Sequence, residues 1–355
     1  MEIIPNYPQD SSQEVVIPAE ELQRVLAEML EKKGMFRVEA DIGAARLVEA
    51  DLRGIQSHGS RALPRYIEAM DRGEIDPRAQ VLTERETPAM AVLNGGTGLG
   101  HVAATKAMRL AIQKAKEVGT GTVAVRRGQH YGAAGVYALM AVEAGVIGYT
   151  TTSTGPATVA AYGSRQPAVA NNAFAWGVPL PEGPPFIFDA ACAVASWGKV
   201  HSLKMYAQQL PTGWALDENG NETTDPAAAK TLLPFSGPRG YGMAFLSSVL
   251  AGPLVAARMP IKKTWSISLD CSEHFFYAID ITHFVEPEKY NQHLQIAVEE
   301  IRALEPCDGF DTVRLPGEPE WELAERRKAE GIPIHTEHAK DLQDLAATLK
   351  VEWPG

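Results

Sequence analysis

Two histidines stand in segments suited to chemistry. His58 lies in Gln56-Ser57-His58-Gly59 and His130 in Gln129-His130-Tyr131-Gly132-Ala133-Ala134. Imidazole is the side chain whose proton moves near neutral pH, and an adjacent hydroxyl such as Ser57 can orient it or bind a substrate oxygen. The second segment falls between a β-branched run and a helical pattern, where α/β folds build their sites, and a helix start there offers backbone N–H groups to a phosphate. Other chemistries find less support. His335 and His338 are three apart without a third ligand nearby, so no metal is expected. Cys192, in Asp189-Ala190-Ala191-Cys192, has no base beside it and reads as a packed thiol. No Gly-x-Ser-x-Gly elbow, Walker lysine loop or His-Glu-x-x-His helix occurs. The run Gly95-Gly96-Thr97-Gly98-Leu99-Gly100 has glycines at 96, 98 and 100, which is Gly-x-Gly-x-Gly; it reads as a glycine-rich turn, not a dinucleotide fingerprint.

Helices lead into the first histidine. Leu22, Val25, Leu26, Met29 and Leu30 recur at helical spacing between Pro18 and Gly34, and Val38, Ile42, Ala45, Val48 and Leu52 form a second stripe ending at Gly54. Gly43 inside the second pattern costs it about 1 kcal/mol relative to alanine. β-Branched runs follow at 89–94, 122–127 and 146–152, with helical patterns at 101–117 and 133–144 between them. The segment 266–280 holds the aromatic stretch His274-Phe275-Phe276-Tyr277, read as a strand. Helices are expected again at 292–304, 321–330 and 336–349, with Pro316-Gly317-Glu318-Pro319 as a turn. The fold class expected is α/β, with helical ends packing together around a mixed centre.

The 355 residues carry 33 Lys plus Arg against 44 Asp plus Glu, a net charge of −11, which argues against nucleic-acid or anionic-membrane partners. An apolar share of 45% with 22% charged is an ordinary globular balance, and the length suggests two or three domains. Three scattered cysteines, a polar Met1–Gln13 start and no bilayer-length apolar run point to a cytoplasmic protein.

The stretch Asp51-Leu52-Arg53-Gly54-Ile55-Gln56-Ser57-His58-Gly59 with Leu63-Pro64-Arg65-Tyr66 resembles the malate/L-lactate dehydrogenase type 2 family. That family includes ureidoglycolate, sulfolactate and diketogulonate dehydrogenases and cyclic imino-acid reductases. The resemblance continues through Gly98-Leu99-Gly100, His130 to Gly135, Ala144 to Gly148, Asp189-Ala190-Ala191 with Gly198-Lys199-Val200, Gly237 to Gly242, His274 to Asp280, and Pro316-Gly317-Glu318. It implies an NAD- or NADP-linked oxidoreductase with a non-Rossmann cofactor domain, acting as a homodimer. By that similarity His58 is the proton donor and acceptor, Ser57 its partner, and His130 approaches substrate and nicotinamide. Tyr131, Gly132, Ala133, Thr154, Asp189, Ala190, Ala191, Arg239, Gly317, Glu318 and Pro319 fall on or beside cofactor-binding positions.

Departures cluster at the expected pocket. Ala62 stands where relatives carry a carboxylate-binding arginine, which leaves Arg61 and Arg65 as candidates, and Asn171 falls in the altered segment Ala170-Asn171-Asn172-Ala173. The expected division is 14–80 as a helical segment with the Ser-His-Gly loop, 81–285 as the α/β cofactor and substrate domain, and 286–355 as a helical segment returning to the first. The expected reaction is hydride transfer between nicotinamide and C2 of a small 2-oxo or 2-hydroxy acid. The alternatives are cyclic imino-acid reduction and a catalytically weakened NAD(P)-binding protein. With an anionic cofactor and substrate, Arg61, Arg65, Lys199 and Arg239 should supply the local cations.

Overall fold

Apolar residues at helical spacing fold the two ends of the chain into one body. The computed structural model describes residues 10–264 and 271–354. Helix α1 (Ala19–Lys32) buries Leu22, Leu26, Met29 and Leu30 completely, each contributing about 1.5–3 kcal/mol. It packs on α2 (Arg37–Leu52) and shares its core with α3 (Leu63–Asp71), α9 (Glu318–Glu330) and α10 (Thr336–Leu349). Strand β1 (Glu14–Ile17) pairs antiparallel with β14 (Ile332–His335), tying the chain's start to its end. The second stripe is met in part: Val48 and Leu52 are buried as expected, but Val38 is 72% exposed, and the buried face also takes in Ala40, Gly43, Ala44 and Leu47. Position 43 lies so close to Leu30 and to Leu99 that a Cβ would come within 2.8 Å of the latter, so glycine there permits packing that alanine would crowd. Helix α8 (Pro287–Arg302) stands outside this core and buries only Val298.

The middle of the chain forms a seven-stranded sheet. Its order is β2 (Leu82–Glu86), β3 (Met90–Asn94), β4 (Thr120–Gly128), β13 (Ser272–Ile279), β5 (Ile147–Ser153), β8 (Ala173–Val178) and β9 (Phe186–Ala191). Only β3 and β4 are parallel neighbours, and the other pairs are antiparallel, which is not a doubly wound arrangement. The strand expected across 266–280 falls partly outside the described residues. Helices α4 (Gly100–Val118) and α5 (Gly135–Glu143) cover one face around Phe276, Met108 and Tyr137. A smaller sheet, ordered β11 (Glu222–Thr223), β10 (Ala215–Leu216), β12 (Thr231–Leu232), β6 (Val159–Ala160) and β7 (Pro167–Val169), shares a third core with α6 (Trp197–Met205) and α7 (Pro238–Leu250).

This topology gathers strand ends. Because β4 and β5 both run antiparallel to β13, and β5 and β9 both antiparallel to β8, strands β3, β4, β5 and β9 all release their C-termini at one edge. The glycine-rich turn follows β3 there, and its Gly95 and Thr97 N–H groups are spent on the carbonyls of Arg126 and Arg127, at 2.9 and 2.8 Å.

Candidate active site

The loop that carries His58 is fastened by a buried carboxylate. Between α2 and α3 the chain makes two short 3-10 turns, Gln56–His58 and Ser60–Ala62. Asp51, 2% exposed, accepts the Ser60 N–H at 2.7 Å, while Arg327 of α9 donates to the Asp51 carbonyl. Burial pushes the Asp51 carboxyl up to about 6, opposed by the Ser60 bond and the Arg327 charge. A Cβ at Gly59 would overlap the Asp51 carboxylate, so only glycine lets this loop close over it. Ser57 Oγ lies 2.7 Å from His58 Nδ1. Helix α6 presses Gly198 against Ser57, and Arg61 donates to Ser202 Oγ of the same helix at 2.7 Å.

His130 is held by close packing. It follows β4 by two residues and precedes α5 by five, so it stands in an irregular loop instead of at a helix start. The helix start is capped by the chain's own acid: Asp189 accepts the Gly135 N–H at 2.7 Å, which takes the place foreseen for a phosphate. At Gly100 a Cβ would overlap the carbonyl oxygens of Gln129 and His130, so the first turn of α4 rests directly on the loop backbone. Behind the loop Tyr131, fully buried, stacks on His274 with ring centroids 4.6 Å apart, and Tyr137 donates to the Tyr131 carbonyl at 2.5 Å.

The two rings meet across the seam between the helical body and the sheet. His58 and His130 stack with centroids 5.4 Å apart and an interplanar angle of 29°, each partly open on the cleft side. Tyr66 hydrogen-bonds His130 Nδ1 at 2.6 Å, and the Arg65 guanidinium lies 5.4 Å from the Tyr66 ring centroid. Burial, and then the charges of Arg65 and Arg61, push His58 down to about 4, and burial with Arg65 depresses His130 well below its ordinary value. Both rings are neutral at pH 7.

Among the other expected residues, Arg61 and Arg65 lie close enough to His58 to act on its charge, whereas Ala62 is buried. Asn171 spends its amide on a loop, donating to Ala195 O and accepting the Ala193 N–H, both at 2.8 Å. Lys199 sits 5.4 Å from the Trp214 ring centroid, and burial lowers its pKa. Thr154, Asp189, Ala190 and Ala191 lie at the strand-end edge, and α7 brings Arg239 in its first turn to the backbone beyond Ala191, where Gly240 packs on Cys192 O. Arg239 is exposed and pairs with no acid among the described residues. Gly317 caps α9 beside β9, where Ile187 N–H bonds Pro316 O at 3.0 Å. Pro319 lies in the first turn of α9, and Glu318 is buried against Arg302. A hydroxyl, a carboxylate and an unpaired cation along one edge, with open space at Gly155, fit an anionic dinucleotide. Tyr131 and Ala133 turn into the core. His335 caps α10 through the Glu337 N–H at 3.2 Å, and no group of three metal-ligating side chains occurs among the described residues.

Sequence reasoning passed over Asp51 and Tyr66. Their only local signals are an acid at a helix end and an aromatic on an apolar stripe.

The site is a histidine-bearing cleft at the edge of a largely antiparallel sheet, outside the Rossmann class. The malate/L-lactate dehydrogenase family model matches residues 17–343, and the chain belongs to that family. The solved malate dehydrogenase of Pyrococcus horikoshii OT3 superposes with a TM-score of 0.88 at 31% identity, covering 98% of this chain and 100% of that one. The malate/(S)-sulfolactate dehydrogenase of Methanothermus fervidus is 35% identical over 343 residues, 95% of this chain and 99% of its own length. The ureidoglycolate dehydrogenase (NAD(+)) of Escherichia coli K12 is 32% identical over 325 residues, 90% of this chain and 92% of its own. The protein is an enzyme of the dehydrogenase type that acts on a CH–OH group with NAD or NADP.

Proposed function

We propose that the chain interconverts a small 2-hydroxy acid and its 2-oxo acid, with His58 as the group that takes and returns the hydroxyl proton. One juxtaposition supports this: the His58 ring is held at Nδ1 by Ser57 at 2.7 Å, makes no other hydrogen bond to the described residues, is part-exposed, and lies beside Arg61 and Arg65. Bound NAD or NADP supplies the hydride acceptor or donor. In oxidation the neutral His58 ring takes the hydroxyl proton as the hydride leaves C2, and in reduction the protonated ring returns it to the C2 oxygen. The arginines that depress His58 also attract a carboxylate. A carboxylate bound there cancels their share of the depression and raises His58, while the larger share, from burial, stays. Arg61, anchored on Ser202, is the preorganised clamp, and Arg65 the adaptable one. Thr154, Asp189 to Ala191, Arg239 and Gly317 to Pro319 are the residues we assign to the cofactor.

His58→Ala is expected to lower turnover by about 10³-fold while NAD(P)H binding, followed by fluorescence, stays unchanged. Unaltered turnover overturns the assignment. A panel of 2-oxo acids and cyclic imino acids, followed by NAD(P)H absorbance, tests the substrate class, and turnover of imines alone overturns it.

We also place the enzyme in the cytoplasm as a homodimer. Three cysteines that are widely spaced and odd in number, Cys192, Cys271 and Cys307, support the first. Exposed Phe245 and Leu246 on α7, with Leu254 and Ile261 just after it, support the second. Light scattering should return twice 38.4 kDa.

A further inference from the structure

Nδ1 of His130 faces two hydrogen-bond partners whose roles can be read from geometry. The Tyr66 hydroxyl lies 2.6 Å from it, and the backbone N–H of Gly132 points at it from 3.4 Å. A backbone N–H can only donate, so Nδ1 carries the lone pair; in a neutral ring the proton is then on Nε2. Gly132 is held in this pose from both sides. Its φ is +79°, a conformation that disfavours side chains, and a Cβ there would come within 2.6 Å of His101 Nε2.

Tyr66 is equally constrained. Its ring is 3% exposed, meets the fully buried His101 edge-on with centroids 5.4 Å apart, and carries the Arg65 guanidinium near its face. Burial raises the phenol pKa, so the hydroxyl keeps its proton through the neutral range and has it to donate to Nδ1.

We propose that Tyr66 is a positioning residue that locks His130 in its Nε2–H tautomer, making His130 a fixed hydrogen-bond donor to the substrate oxygen while His58 alone exchanges the proton. The inference rests on the reading of His58 above. In the reductive direction the hydride adds to C2, the carbonyl π pair moves onto oxygen, and that oxygen takes its proton from His58. The His130 Nε2–H stabilises the developing negative charge and transfers nothing. A neutral imidazole suits that task because it can donate without holding a charge in a site that already contains two arginines.

The test uses the full-length protein labelled with ¹⁵N-histidine, observed by long-range ¹H–¹⁵N correlation from pH 6 to 9. His130 should show an unprotonated Nδ1 and a protonated Nε2 at every pH. In Tyr66→Phe, which keeps the ring and loses only the hydroxyl, both tautomers should appear. That variant should lose about 10²-fold in kcat with the KM for the 2-oxo acid nearly unchanged, as for removal of an oxyanion donor. His130→Gln, whose amide nitrogen overlays Nε2, should retain more activity than His130→Asn, whose nitrogen overlays Nδ1. A protonated Nδ1 in the wild type, a His130 titration within that pH range, or wild-type kcat in Tyr66→Phe overturns the proposal. If Tyr66→Phe fails to fold, the wild-type tautomer still decides. The tautomer is read without turnover, so a failed His58→Ala result would refute the catalytic reading and leave this measurement standing.

Discussion

The two histidines reach one cleft from regions built on opposite plans. The His58 loop is held by polar contacts: Asp51 accepts from the Ser60 N–H, Arg327 reaches in from α9, and Ser57 meets the ring. The His130 loop is held by shape, with Gly100 against its carbonyls, Gly132 against His101, and Tyr131 flat on His274. The His58 ring, which we propose gains and loses a proton, is part-exposed on a loop fastened elsewhere and has one hydroxyl partner, Ser57. The His130 ring, which we propose stays in one tautomer, is likewise part-exposed but sits on a loop packed against Gly100 and His101.

Breaking the packed loop should have the largest effect. In Gly100→Ala the new methyl meets the Gln129 and His130 backbone, which cannot rotate away as a side chain could, and unfolding in denaturant should show a loss at or above the roughly 3 kcal/mol typical of severe overpacking. A fully stable variant would mean that the loop is less tightly fitted than the contact implies.

The polar loop should instead respond to pH. Asp51 is raised from 3.8 to about 6, so its protonation favours folding fully below about pH 3.8, and that contribution is lost as pH rises through 6. Asp51→Asn removes the titration. It should therefore gain stability relative to the wild type between pH 4 and 7, by up to about 3 kcal/mol from the size of the shift. A pH-independent difference would remove Asp51 from this role. The buried histidines of the other region act in the opposite sense. His101 and His274 are pushed down to about 3, so their contribution is present above pH 6.5 and lost as pH falls toward 3.

The smallest change sharpens the contrast. Ser57→Ala removes one hydroxyl from a loop fastened by other groups. The melting temperature should hold while kcat falls about tenfold, equivalent to roughly 1.4 kcal/mol. Wild-type kcat in that variant would show that Ser57 does not orient His58.

Much of this was legible in local pattern. The period of Leu22, Val25, Leu26, Met29 and Leu30 marks α1 because those contacts lie three and four residues apart on one face. The β-branched runs mark β3, β4 and β5 for a similar reason. Val38 misled because an apolar residue at the right spacing can still face water, while the alanines and Gly43 of the true face carry little hydrophobic signal but let helices approach closely. Asp51 carries no local sign of burial, because its partners are Ser60 and Arg327, the latter 276 residues away.

The sequence by itself determined an acidic α/β chain, the places of most of its helices and strands, and two loop histidines within a recognisable set of family motifs. Tertiary structure alone decided that those histidines stack, that Tyr66 bonds to a ring 64 residues further on, and that the arginines crowd His58. The physical reason is range. Periodicity and turn chemistry arise between near neighbours and leave a local trace. Burial, charge proximity and tautomer arise between residues far apart in the chain, and no single segment records its partner.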